Sequence, residues 1–183
     1  MIKAKFRSLL SLCLLLPILS FTAVSPALAQ DGAAKTTSHK DWVVRCIERE
    51  ALPPCDAVQS MSSSETGEQV MFTSFAYLGS DEQIGIQIWV PTGILVSAGV
   101  LVEVDESEQV LDALQFTRCE ANGCFIEAII GEADLLPLKK GANAAVAVLA
   151  STGEPRIVGL SLSGFTKAYE DVKKANQAWY AGR

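Results

Sequence analysis

The sequence is poor in the residues on which much enzyme chemistry depends. It holds one histidine, His39, among 183 residues. Serine or cysteine nucleophiles generally need a basic partner, and histidine is the usual one. His39 precedes Trp42 in a stretch that reads as a flexible lead-in, where nothing would hold it against a nucleophile. Phosphate-cradling glycine loops are missing too. Gly93, Gly99 and Gly164 stand alone, and isolated glycines in such runs mark bulges or turns. Neither a catalytic residue nor a cofactor site is expected on these grounds.

Basic residues are few and partly concentrated at the start. Lys3, Lys5 and Arg7 precede an apolar run, Leu9 to Leu19, and then Pro26-Ala27-Leu28-Ala29, the small-x-small pattern read by signal peptidase. That apolar run is about half the roughly 20 residues a spanning helix requires, and Pro17 interrupts it. Residues 1–29 are therefore read as a cleavable secretion signal. Cys13, with Leu12 before it, lacks the small neighbour that lipid attachment would want, and is discarded with the signal. Cleavage after Ala29 removes three of 15 basic side chains and none of 21 acidic ones, leaving 154 residues with net charge −9. Such a chain lacks the basic face that nucleic acid demands and is ill suited to docking on anionic lipid. No later apolar stretch is long enough to span a bilayer. The expected location is the periplasm or the secreted space.

The mature chain suits one domain. Residues 30–40 form the linker, 41–175 the domain, and 176–183 a tail expected to fray. Short apolar stretches rich in valine, isoleucine and aromatics alternate with turn-forming clusters, which points to antiparallel strands. Nine strands are expected: Trp42–Cys46, Cys55–Met61, Gln69–Tyr77, Ile84–Val90, Val96–Val104, Leu114–Cys119, Cys124–Ile130, Ala144–Leu149 and Arg156–Leu162. Alternation is clearest where Ile84, Ile86 and Ile88 would face a core while Gly85 and Gln87 face away. Helical pattern is confined to Glu132–Lys140, limited by Pro137 and closed by Gly141, and to a segment after Thr166 carrying Ala168, Tyr169, Val172 and Ala175. The fold class is all-β: an antiparallel β-sandwich or partly open barrel with one or two short helices, one of them C-terminal.

Four cysteines remain after signal removal: Cys46, Cys55, Cys119 and Cys124. An even count in an exported chain reads as disulfides, and neither pair has the two-residue spacing of a zinc knuckle or a thioredoxin-type motif. Three connectivities exist. Local pairing, 46 with 55 and 119 with 124, is favoured because Leu52-Pro53-Pro54 and Ala121-Asn122-Gly123 reverse the chain between the partners. Loop entropy alone does not choose between these pairings and longer-range ones.

Carboxylates give the other candidate chemistry. Glu103, Asp105, Glu106 and Glu108 lack the ligand order of a calcium loop and read as a solvated turn, as does Gly79-Ser80-Asp81-Glu82. No metal site is expected. Trp42 and Trp89 are read as core side chains, with an exposed binding role as the alternative.

The order of these features resembles the invasion associated locus B proteins of alphaproteobacteria. The resemblance rests on the signal peptide, the Trp42-Val43-Val44-Arg45-Cys46 opening, Cys55 followed by a strand with Gln59, Arg118-Cys119 through Gly123-Cys124, and the closing run Leu160 to Ala168. Together these span most of residues 41–175. The resemblance implies an all-β envelope or secreted protein and, for pathogen members, a part in entering host cells. It implies no catalytic residues. The chain is, however, more acidic than an adhesin for negatively charged cells would ideally be.

The leading expectation is a non-catalytic exported protein whose partner is an envelope or host protein, bound by a sheet face or edge. Two alternatives stand beside it. One is a hydrolase using two acids from Glu103–Glu108 or from Glu127, Glu132 and Asp134. The other is a structural subunit of an envelope assembly.

Overall fold

The computed structural model describes residues 34–81, 83–105 and 108–183. The secretion signal read at residues 1–29 lies outside the described residues. Among those described, the chain forms β1 (Lys35–His39), β2 (Trp42–Cys46), β3 (Cys55–Ser62), β4 (Gln69–Tyr77), β5 (Ile84–Val90) and β6 (Val100–Val104). Then follow β7 (Glu108–Leu114), β8 (Phe116–Glu120), β9 (Gly123–Ile130), α1 (Glu132–Lys140), β10 (Asn143–Leu149), β11 (Pro155–Ser161) and α2 (Phe165–Ala181).

These strands build two antiparallel sheets that do not close into a barrel. One has seven strands in the order β1-β2-β3-β4-β5-β9-β8, and the other has four in the order β11-β10-β6-β7. Alternation along each strand decides which side chains meet between the layers. Val44, Ala57, Phe75, Ile86 and Ile126 of the large sheet share one buried cluster with Val100, Val102, Val146 and Leu160 of the small one. Helix α2 brings Phe165, Ala168, Tyr169 and Val172 into the same cluster, on the side of β2, β3 and β4. Trp42, Phe75 and Phe165 lock this corner with ring centroids 4.8–5.8 Å apart in tilted and edge-on arrangements.

Several local expectations change. Residues 35–39, placed in a flexible linker, form β1, which pairs in full register with β2. A polar strand with no core-facing period is held by its neighbour's ladder, so periodicity could not reveal it. Val96–Val104 is a strand only from Val100; a 3₁₀ turn at Val96–Ala98 and positive φ at Gly99 come first. Strand β7 begins at the end of the stretch read as a solvated turn and runs through residues 109–113, to which no element was assigned, as the outer arm of a hairpin on β6 with Leu111 buried. The expected strand Leu114–Cys119 divides at Gln115, where the chain leaves the small sheet for the large one.

Helix α1 has the expected bounds despite Pro137. Gly141 ends it with an extended φ of −72°; glycine is needed there because a Cβ would lie 2.3 Å from Val104 Cγ1. Thr166 lies inside the first turn of α2, and its hydroxyl donates to the Lys139 carbonyl at 2.8 Å. Gly164 starts α2 with φ 92°, and a Cβ there would strike the His39 carbonyl. The helix continues to Ala181, and Asn176, assigned to the fraying tail, is completely buried. Among the described residues no helix is long and apolar enough to cross a membrane.

Candidate functional site

The large sheet has a second face, turned away from the core. The register aligns Arg45 with Asp56, Ser74 with Gln87 and Glu127, and Phe72 with Trp89 and Phe125. Strand alternation puts all of these opposite the buried row Ala57, Phe75 and Ile86. Phe72, Trp89 and Phe125 are half-buried and form an aromatic row across three adjacent strands. A Cβ at Gly123 would come within 2.1 Å of Trp89 Nε1, so the glycine at the β8–β9 turn makes room for the indole.

Charge is organised around this row. Arg118 lies over the Phe125 ring at 4.0 Å and reaches Glu127 Oε1 at 2.6 Å and Glu120 Oε1 at 3.0 Å. Gln87 Nε2 donates to the same Glu127 oxygen at 2.8 Å. Arg118, and after it Gln87, hold the Glu127 carboxyl below the usual carboxylate range. At the other side, Arg45 forms a two-pronged pair with buried Asp56, Nε to Oδ1 at 3.1 Å and Nη2 to Oδ2 at 2.5 Å. That bond raises the Arg45 guanidinium further above its ordinary value.

Between these groups lies a groove of about 560 Å³, walled by Arg49 and Leu52 of the β2–β3 loop and floored by Ser74, Ala76 and Gly85. Ile129, 63% exposed, forms its far rim.

The cysteines bracket this face. Cys46 and Cys55 stand opposite each other in register with sulfurs 2.05 Å apart, at the root of the loop that overhangs the groove. Cys119 and Cys124 do the same across the β8–β9 turn, with sulfurs 1.98 Å apart. Each pair thus sits beside a residue of the face, Arg45 or Arg118, and fixes the turn that presents it.

The remaining sequence candidates are dispersed. His39 ends β1, with Nε2 2.8 Å from Asp171 Oδ2 of α2 rather than near a nucleophile. Asp105 accepts the Ala142 and Asn143 amides, holding the start of β10. Glu106 lies outside the described residues, and Glu103 is an exposed β6 side chain. Glu132 pairs with Lys139, and Asp134 accepts the Gly131 amide at the start of α1. Among the described residues no group of three or more histidine, cysteine or acidic side chains is placed to hold a metal. Trp42 is a core residue, whereas Trp89 is not. The sequence held a signal for that difference: Trp89 follows Gly85 and Gln87 on the non-core positions of β5, and Phe72 falls on the non-core positions of β4.

The family model for invasion associated locus B proteins matches residues 42–173. The chain belongs to the invasion associated locus B family. A relative, invasion protein B of Bartonella bacilliformis, is 27% identical over 153 residues, covering 80% of each chain. The crystal structure of invasion associated protein b from Bartonella henselae matches with a TM-score of 0.66 at 21% identity, covering 75% of this chain and 95% of that one. That likeness establishes the shared fold. The invasion associated locus B match ends inside α2, so it includes both cysteine pairs and every residue of the aromatic row.

Proposed function

We propose that this chain is a non-catalytic, exported envelope domain that binds another envelope or host component through the outer face of its large sheet. The observation that carries this reading is the row Phe72, Trp89 and Phe125, an aromatic strip left half-exposed and flanked by Arg118, Glu127 and Arg45. Aromatic side chains with arginine at hand are the composition favoured where proteins grip partners. Export is supported by the N-terminal signal pattern and by cysteine pairs at bonding distance, which suit an oxidising space. The names of the Bartonella relatives agree with an invasion-associated role in pathogens.

Site-specific photo-crosslinking in intact cells tests the proposal. A photoreactive residue at Ile129, on the rim of the face, should give one discrete adduct that Trp89→Ala abolishes. The same probe at Glu170, on α2, should give none. Equal labelling from both positions, or an adduct indifferent to Trp89, would count decisively against it.

A further inference from the structure

A second groove, of about 590 Å³, opens where the small sheet's edge strand β11 meets the ends of β3, β4 and β5. Its walls are Met61, Val70, Val90, Ile94 and Val148, together with four consecutive residues of β11, Arg156 to Gly159. Side chains alternate along a strand, so one face of β11 cannot present four successive residues. The groove therefore runs along the backbone edge of β11.

The polar groups of that edge can be assigned. Gln59 donates from Nε2 to the Ser161 carbonyl at 3.0 Å and accepts the Ser161 amide on Oε1 at 3.2 Å. Trp42 Nε1 also donates to that carbonyl, at 2.8 Å. Ser161 thus turns its backbone away from β10, while the next residue, Leu162, bonds back to Ala142. In an antiparallel pair this orientation repeats every second residue. Gly159 and Ile157 accordingly point their N–H and C=O groups into the groove, and among the described residues only β10 pairs with β11. At Ser161 the fold covers its own edge with side chains, and two residues earlier, at Gly159, the described residues leave the edge open.

Two further features bear on the occupant. A Cβ at Gly159 would meet nothing within 4 Å, and Ile157 is 68% exposed, an apolar residue on an uncovered edge. Arg156 occupies the same register row as Val158 and Leu160, which point toward the core, yet it is exposed where it lines the groove and has no acidic partner among the described residues.

We infer that this groove takes an extended peptide segment, which adds as a strand to β11 and pairs with Ile157 and Gly159. Alternate apolar side chains of the segment enter the floor formed by Val90, Ile94 and Val148. An acidic group at its end meets Arg156. This is strand addition, with main-chain bonds giving affinity and the floor and the arginine giving selectivity. The site is separate from the outer face of the large sheet.

The probe is an acetylated hexapeptide of alternating valine and threonine ending in glutamate, titrated into the mature protein and followed by amide NMR. The Ile157 and Gly159 amides should shift and gain exchange protection, while Ser161, already bonded by Gln59, stays unchanged. N-methylating the peptide's pairing edge should weaken binding about tenfold or more. Gly159→Pro removes an N–H that points away from β10, so it should fold and show a similar loss. Should that variant not fold, the N-methyl comparison on the wild type carries the test. Arg156→Gln should erase the preference for glutamate over glutamine at the peptide's end. No binding at millimolar peptide, or binding indifferent to N-methylation, overturns the inference. So does dodecanoate filling the floor with the Ile157 and Gly159 amides left unprotected, since the groove would then be an acyl pocket. Trp89→Ala should leave peptide binding unchanged, which separates this inference from the proposed function.

Discussion

The carboxamide of Asn176 closes on the backbone of Cys55 from both sides. Its Oδ1 accepts the Cys55 amide at 3.0 Å, and its Nδ2 donates to the Cys55 carbonyl at 2.9 Å and to the Tyr77 carbonyl at 3.1 Å. Asparagine here does the work of a strand partner, tying the last turns of α2 to β3 and β4. Asn176→Ala leaves one donor and two acceptors buried without partners and should cost about 2–4 kcal/mol. Urea denaturation gives the measurement; a loss below about 0.5 kcal/mol would show that the bonds are dispensable. Truncation after Ala175 should be at least as damaging.

Gln59 plays the corresponding part at the seam between the sheets. It bonds both backbone groups of Ser161 and donates to the Asp41 carbonyl at 3.1 Å. Gln59→Met keeps the length and loses the bonds. Stability should fall by about 2 kcal/mol, and the Ser161 amide should exchange faster with solvent. Unchanged exchange at Ser161 would refute the assignment of that edge to Gln59.

The cysteine pairs make a covalent prediction. A non-reducing peptide map should join 46 to 55 and 119 to 124, and a fragment joining 46 to 119 would overturn this pairing. Replacing Cys46 and Cys55 by alanine should cost about 2–3 kcal/mol on the chain-entropy account. Limited proteolysis should then cut first between residues 47 and 54, because the pair closes the root of that loop.

Tyr169 is expected to contribute to the loss of stability at alkaline pH. Its ring is buried, its hydroxyl has no hydrogen-bond partner among the described residues, and burial, with Glu132 next, pushes the phenol far above its ordinary value. A phenol raised in the folded state contributes nothing below the unfolded pKa of about 10, where both states are protonated. Above pH 10 the unfolded chain ionises first, so stability falls as pH climbs toward the folded value. Tyr169→Phe should leave the melting temperature at pH 7 unchanged or higher and flatten this alkaline loss. A steep loss persisting in the variant would assign it to another group.

Much of the architecture was legible in the sequence because burial of one sheet face imposes a two-residue period. Ile84, Ile86 and Ile88 point to the core as their spacing requires, and the strands from Trp42 to Val90 fall close to the expected bounds. Trp89, read as a core side chain, lies off the core, on the non-core positions that the same period assigns to Gly85 and Gln87. Elements without that period were not legible. β1 is polar and exists through pairing with β2, so it carries no apolar alternation to read, while β7, with Leu111 buried, is placed by its pairing with β6.

The sequence alone determined an exported pattern, a β-rich chain, two sequence-local cysteine pairings as the favoured choice, and membership of a family by the order of its motifs. The first three follow from local chemistry, since periodicity, turn residues and spacing act over a few positions; the family rests on resemblance along the chain. Only tertiary structure decided that Asn176 and Gln59 are buried clamps, that Phe72, Trp89 and Phe125 align in one row, and that β11 is an edge strand whose outer side no other described strand covers at Gly159 and Ile157. Each of these depends on strand register and on contacts across about 100 residues of chain, as between Gln59 and Ser161 or Cys55 and Asn176. Such long-range geometry leaves no local trace, because a glutamine that caps a strand edge and one that faces water occupy the same place in the pattern.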